Sequence, residues 1–92
     1  MSDEIHVITR NYRARKRGLV GVHTSVDINT ILVAQNNLCY YCGEPLESYH
    51  VDHKQPVSRG GSNWPENLCC TCAYCNLSKG NKTEAEYLAR MI

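Results

Sequence analysis

The 92-residue sequence has no phenylalanine, one tryptophan, three prolines and no long apolar run. Because a membrane-spanning helix needs about 20 consecutive apolar residues, no span is expected. The opening residues, Met-Ser-Asp-Glu, lack the basic and apolar regions of a secretory signal. The chain is also too short for two independently folded cores. We therefore expect one small domain in a reducing cytoplasm, without membrane association.

The formal charge of +1 conceals a local excess of basic residues near the N-terminus. In the first 38 positions, all the basic side chains lie between Arg10 and Arg17. This stretch is polar and has no sustained hydrophobic period, which predicts an arm without its own core. We therefore predict a basic N-terminal arm over residues 1–24 and a folded domain over residues 25–92.

Six cysteines in a reducing compartment favour metal ligands over disulfides. Four of them form two Cys-x-x-Cys pairs, a spacing that lets both sulfurs of a pair reach one tetrahedral ion. The pairs are Cys39 with Cys42 and Cys72 with Cys75. The spacing predicts a structural zinc site that fastens the intervening chain, with disulfides or unrelated thiols as the alternative. Cys69 and Cys70 are interpreted as packing residues, although either could replace a ligand.

Hydrophobic periodicity and turn residues predict a mixed α and β domain. The predicted elements are helices over 27–36 and 73–79, strands over 47–57 and 67–71, and a last helix opened by a capping box at Thr83–Glu86. Ser25 or Asp27 is the expected N-cap of the first helix. The last helix is expected to place Tyr87, Leu88 and Met91 on one side.

Further polar residues stand between and beside the cysteine pairs in a distinctive order. They are Val51-Asp52-His53-Lys54-Gln55-Pro56, Gly60-Gly61, Asn67-Leu68 and Cys72-x-x-Cys75-Asn76-x-x-Lys79. From Cys39 to Lys82 the sequence resembles the HNH (His-Asn-His) endonucleases of the ββα-metal fold, in their four-cysteine zinc-containing subgroup. The resemblance implies an α+β fold with a two-stranded hairpin and a helix clamped by a structural zinc, with flanking helices.

The resemblance also implies roles for individual residues. His53 would be the general base, since a neutral imidazole with a pKa near ~6.5 can accept a proton from water. Asp52 and Asn76 would bind the catalytic magnesium or manganese through hard oxygen donors. Asn67 would brace the hairpin loop and hold His53 in place. The third motif position is Asn76 where the family name has histidine, a variant that is compatible with metal binding but replaces a nitrogen donor by an amide oxygen and so bears on the metal preference.

The substrate implied by the resemblance is DNA, cut by hydrolysis of a phosphodiester bond. Expected phosphate contacts are basic residues on the hairpin loop, after the metal-binding helix and in the arm. These are Lys54, Arg59, Lys79, Lys82, Arg13, Arg15, Lys16 and Arg17. With one site, a monomer would nick one strand with weak sequence preference, unless a partner protein supplies targeting. Bacterial or phage origin is expected, and the oligomeric state is not predicted.

Two alternatives and one geometric difficulty stand beside this interpretation. A non-catalytic zinc module that binds nucleic acid or protein would have no need of Asp52, His53 and Asn76. A zinc-thiolate redox or storage protein would leave the same residues unexplained. Strict strand alternation would also send Asp52 and His53 to opposite faces. His50 shares the face of Asp52, and His23 is expected to be a packing or surface residue.

Overall fold

The computed structural model describes residues 20–91, which form a two-stranded sheet with three helices. The elements are α1 (Ser25–Ala34), β1 (His50–His53), β2 (Leu68–Thr71), α2 (Ala73–Lys79) and α3 (Glu84–Arg90), with short 3-10 turns at Val57–Arg59 and Pro65–Asn67. The expected α+β class with a hairpin and flanking helices is confirmed. In this part of the chain, no helix is long and apolar enough to cross a membrane.

The strands β1 and β2 form an antiparallel hairpin with Asp52 opposite Cys69 and His53 opposite Leu68. Strand β1 covers only four residues, far fewer than the predicted 47–57. The chain leaves the ladder after His53. Pro56 then precedes a 3-10 turn, and because proline has no backbone N–H it could not donate a hydrogen bond to the neighbouring strand. His53 is therefore the last paired residue before a long loop.

The sheet is packed on both faces, so β2 is buried at every position. One face carries Leu68 and Cys70, which form a core with Ile28 of α1. On the other face, Cys69 packs with the cysteine pairs and with Tyr87 of α3. Since consecutive residues of a strand point to opposite faces, β2 contributes apolar side chains to the core on each face of the sheet.

The start of α1 differs from the prediction. Thr24 is the N-cap, where its hydroxyl accepts from the N–H of Asp27 at 3.2 Å. The carboxylate of Asp27 accepts from the N–H of Thr24 at 2.8 Å, which completes a capping box. Ser25 is therefore inside the helix, and Asp27 stands at the third helical position. Hydrophobic periodicity does not fix a helix end to one residue.

The predicted capping box of α3 is present. The N–H of Glu86 donates to the hydroxyl of Thr83 at 3.2 Å, and the N–H of Thr83 donates to the Glu86 carboxylate at 2.9 Å. Tyr87 is buried, but Leu88 and Met91 are 40% and 44% exposed. Of the three residues expected on one side of this helix, only Tyr87 joins the core, where it packs with Tyr41 and the buried cysteines.

The described residues begin inside the predicted arm. Val20 accepts a main-chain hydrogen bond from Asn63 at 2.8 Å. His23 is 1% exposed and its Nδ1 lies 3.1 Å from the main-chain oxygen of Asn63. This segment thus packs against the hairpin loop, and His23 is a packing residue. The boundary at residue 24 stays a prediction.

Candidate active site

Four cysteine sulfurs converge beside β2. The Sγ atoms of Cys39, Cys42, Cys72 and Cys75 all lie within 4.8 Å of one another. Around a tetrahedral ion at about 2.3 Å from each sulfur, the sulfurs would be roughly 3.8 Å apart. The sulfurs of Cys42 and Cys72 are 3.9 Å apart. The four side chains can therefore hold a metal ion, as their spacing predicts.

Backbone N–H groups point at the sulfurs of both cysteine pairs, the first of which lies in a turn and the second at the start of α2. Cys72 is the N-cap of α2, and its Sγ accepts from the N–H of Cys75 at 3.4 Å. The N–H of Cys72 donates to Sγ of Cys39 at 3.4 Å. Burial raises the pKa of Cys39, but backbone donors outweigh it and lower that pKa to about 7. Burial raises the pKa of Cys75 to about 12, and a bound cation would favour the thiolate form of its ligands.

The remaining two cysteines lie apart from this cluster. Cys69 and Cys70 are 1% and 0% exposed within β2 and belong to the two different core layers. Burial, reinforced by the nearby Asp52 carboxylate, raises the pKa of Cys69. Both side chains therefore act as small apolar residues of the core, in agreement with the prediction.

A second group of polar residues lines a cleft between the end of β1 and α2. Asp52, His53 and Asn76 all border this cleft, whose volume is about 240 Å³. Both strand residues reach it because regular pairing stops at His53. Asn76 follows Cys75 directly on α2, so the sulfur cluster and the cleft share one helix. Asn67 does not border this cleft, and His50 is exposed at the far end of β1.

The Asp52 carboxylate is buried and held through one oxygen. Its Oδ2 accepts from the Tyr41 hydroxyl at 2.9 Å and lies 3.3 Å from Nζ of Lys79. The thiol of Cys69 is 3.7 Å from the same oxygen. Burial, with Cys69 and Asp52 nearby, raises the pKa of Tyr41, so the phenol stays a hydrogen-bond donor at neutral pH. These three contacts all involve Oδ2, and the residue as a whole borders the cleft.

The His53 ring is held by a residue that the sequence patterns did not reveal. Its Nε2 lies 3.0 Å from Oδ1 of Asn63, which is 1% exposed. The main-chain oxygen of His53 accepts from Nζ of Lys79 at 2.9 Å. Asn63 belongs to a turn-forming stretch that is typical of any loop, and no periodicity marks it. Asn63 matters because it is buried beside the His53 ring, and this burial is visible only in the tertiary structure.

Asn67 ties together the two ends of the loop that leaves β1. Its Oδ1 accepts from the N–H of Gln55 at 2.9 Å, and its Nδ2 donates to the main-chain oxygens of Gln55 and Ser62 at 3.1 and 2.7 Å. Gly61 lies inside this closure, where a Cβ atom would meet the oxygen of Gln55 at 1.8 Å. This geometry is the one expected of a residue that braces the loop next to His53.

With the geometry established, comparison with known proteins identifies the family. The sequence model of the HNH endonuclease family matches residues 39–82. Over 50 residues, which are 51% of this chain, the sequence is 44% identical to the CRISPR-associated endonuclease Cas9 of Corynebacterium diphtheriae. Residues 39–82 are therefore an HNH endonuclease domain. The matched part of this chain corresponds to 5% of the length of that Cas9.

A solved structure shares the fold of this chain. The rare-cutting HNH restriction endonuclease PacI superposes with a TM-score of 0.58 over 87% of this chain and 67% of the PacI chain. Sequence identity is 21%, so this likeness establishes the common fold. The HNH domain is thus recognisable both from its motif order and from the arrangement of its hairpin and helices.

The basic residues of the HNH domain differ widely in accessibility. Nζ of Lys54 lies 4.9 Å from the centre of the Tyr40 ring, and the exposed Arg59 pairs with Glu86 at 2.5 Å. Nζ of Lys82 donates to the main-chain oxygen of Ser78 at 3.3 Å. The predicted contacts at Arg13, Arg15, Lys16 and Arg17 lie outside the described residues.

Lys79 is buried, unlike Lys54, Arg59 and Lys82. Its side chain is 1% exposed, and its ammonium group is engaged with Asp52 and with the main chain of His53. This ammonium is already paired, but the residue also borders the cleft with Asp52 and His53, so a DNA contact at Lys79 stays a prediction. The residue serves the interior of the HNH domain.

Proposed function

We propose that this chain is a metal-dependent endonuclease that hydrolyses phosphodiester bonds in DNA. The observation that carries the proposal is the single cleft bordered by Asp52, His53 and Asn76. A base beside two oxygen donors is the minimum set for activating water against a phosphate. The same residues would be redundant in a zinc module that only binds.

We assign the sulfur cluster to a structural zinc ion held by the four clustered cysteines. Thiolates in a tetrahedral set are the preferred ligands of zinc, and four of them leave no open coordination position. The two pairs stand on either side of the hairpin. The site therefore fixes the ends of the hairpin and the start of α2, without a direct part in the chemistry.

The cleft fits a hard divalent cation, magnesium or manganese. Asp52 would bind the cation through Oδ1, because its Oδ2 already contacts Tyr41 and Lys79. Asn76 would bind it through its amide oxygen, since it borders the same cleft. Such oxygen donors are the ligands that magnesium and manganese favour. When bound, the cation would offset negative charge on the phosphate and on the departing oxygen.

His53 is proposed to be the general base. Its imidazole borders the cleft, so it can accept a proton from a water molecule placed against the phosphate. The amide oxygen of Asn63 at 3.0 Å from Nε2 would stabilise the protonated ring that results. Asn67 contributes by holding the loop that follows His53, and it does not react.

For binding, we propose that Lys54, Arg59, Lys82 and the basic arm contact DNA phosphates. Phosphate contacts position the duplex without reading its sequence, which supports weak sequence preference. One cleft acts on one strand at a time, so we further propose that a monomer produces nicks.

The test incubates supercoiled plasmid with the purified protein and either magnesium or manganese. We expect open circles to accumulate, EDTA to stop the reaction, and His53→Ala, Asp52→Ala and Asn76→Ala each to lower the rate by at least ~100-fold. His50→Ala is the matched control, because His50 stands exposed on the same strand. Unchanged nicking by His53→Ala, or loss of sulfur-bound metal in that variant, would contradict the assigned role.

A further inference from the structure

Tyr41 lies within the first cysteine pair, yet its hydroxyl reaches the proposed catalytic metal ligand. The ring stands between Tyr40 and Tyr87, with centroids 5.1 Å away and interplanar angles of 82° and 88°. The hydroxyl donates to Oδ2 of Asp52 at 2.9 Å. Tyr41 is 8% exposed and Asp52 is 7% exposed, so the bond is shielded from water.

The position of this ring is set by the turn that carries the sulfurs. The N–H of Cys39 donates to the oxygen of Glu44 at 2.7 Å, and the N–H of Gly43 donates to the oxygen of Cys39 at 3.0 Å. The N–H of Tyr40 donates to the oxygen of Cys70 in β2 at 3.0 Å. The turn is therefore fixed to the sheet on one side and to the sulfur cluster on the other.

A carboxylate that binds a metal through one oxygen must be stopped from rotating about its Cβ–Cγ bond. At Asp52, Tyr41 and Lys79 both contact Oδ2, and the residue borders the cleft, so these contacts restrain the carboxylate while Oδ1 would serve as the metal ligand. Hydrogen bonds of this kind orient a ligand and raise its affinity for the ion, commonly by about 10- to 100-fold.

We infer that Tyr41 is a positioning residue that transmits the rigidity of the sulfur cluster to Asp52 and thereby sets the affinity of the cleft for its divalent cation. This inference rests on the proposed function, because it takes Asp52 as a ligand of that cation. It gives Tyr41, one of the two residues between Cys39 and Cys42, a role beyond setting the distance between the sulfurs.

The test compares Tyr41→Phe with Tyr40→Phe. Both variants keep the aromatic ring and lose one hydroxyl from the same turn, but the Tyr40 hydroxyl donates to Glu84 and not to Asp52. Manganese binding is measured by electron paramagnetic resonance without DNA, on protein with its sulfur-bound metal in place. We expect Tyr41→Phe to bind manganese about 10-fold more weakly and Tyr40→Phe to match the wild type.

Two further measurements separate positioning from general damage. The sulfur-bound metal content should be alike in the two variants, and both should keep a cooperative thermal transition. In plasmid nicking, Tyr41→Phe should need about 10-fold more manganese for half-maximal rate and approach the wild-type rate at saturation. A lost sulfur-bound metal in Tyr41→Phe would overturn the inference, because the effect would then be on the fold.

The remaining outcomes distinguish this inference from the proposed function. Equal manganese affinity in Tyr41→Phe and wild type, with binding lost in Asp52→Ala, would overturn the role of Tyr41 and leave the proposed function standing. Manganese binding that survives Asp52→Ala would overturn both.

Discussion

The ammonium group of Lys79 lies 3.3 Å from the Asp52 carboxylate inside the domain. It also donates to the main-chain oxygen of His53 at 2.9 Å. One side chain from the last turn of α2 therefore contacts both residues that we assign to the chemistry at the end of β1. The pair neutralises a buried carboxylate before any cation arrives.

Replacement of Lys79 should destabilise the protein. Lys79→Met keeps the length of the side chain but leaves the buried Asp52 charge without its partner, which typically costs about 3–5 kcal/mol. Urea unfolding of protein that holds its sulfur-bound metal, without added magnesium or manganese, measures the change in unfolding free energy. Lys82→Met is the control and should shift stability by less than ~0.5 kcal/mol. If the double variant Lys79→Met with Asp52→Leu is as unstable as the single one, the unpaired charge is not the cause.

Loss of the sulfur-bound metal should unfold the hairpin. Because metal binding and folding are coupled in small domains, Cys75→Ser should lose the metal and most of the cooperative thermal transition. Cys70→Ala removes a buried sulfur outside the cluster and should retain about one metal ion per chain. Elemental analysis and circular dichroism measure these two effects. A cooperative transition in metal-free Cys75→Ser would refute a clamp.

Local patterns predicted much of this architecture. The cysteine spacing anticipated the sulfur cluster, and the capping box at Thr83 marked the start of α3, because each depends on neighbours along the chain. The motif order placed Asp52, His53 and Asn76 in one region, where the structure has them on one cleft.

What the sequence did not supply depends on burial between distant segments. Lys79 resembled any other surface lysine after a helix, but tertiary packing turns it inward. Tyr41 resembled a spacer between two ligands, and Asn63 resembled a loop amide. Their partners stand 11 and 10 residues away along the chain, in a register that only the folded hairpin fixes.

Gly61 should tolerate no side chain. A Cβ atom there would lie 1.8 Å from the main-chain oxygen of Gln55 and 3.0 Å from Nδ2 of Asn67, so Gly61→Ala must open the loop that Asn67 closes. We expect a loss of about 1–3 kcal/mol in unfolding free energy and slower nicking, since the loop adjoins His53. Ser58→Ala, at an exposed position of the same loop, should keep the wild-type stability. Wild-type stability in Gly61→Ala would show that the closure is not needed.

The surface pair of Arg59 and Glu86 should restrain DNA binding. Hydrogen bonding from Arg59, and then from the backbone of Thr83, lowers the pKa of Glu86, so its carboxylate is ionised at neutral pH and competes with phosphate for the guanidinium group. Glu86→Gln removes the charge but retains a residue that completes the capping box. Because an exposed pair is worth about 0.2–1 kcal/mol, we expect DNA affinity to rise about two- to fivefold at low salt.

The same variant should alter the salt dependence of binding. One additional phosphate contact steepens the slope of log affinity against log salt by about 0.9, which fluorescence anisotropy at several salt concentrations measures. Glu47→Gln changes the net charge equally at an exposed position away from Arg59 and should leave the slope unchanged. An equal gain in both variants would mean that overall charge, and not release of Arg59, governs binding.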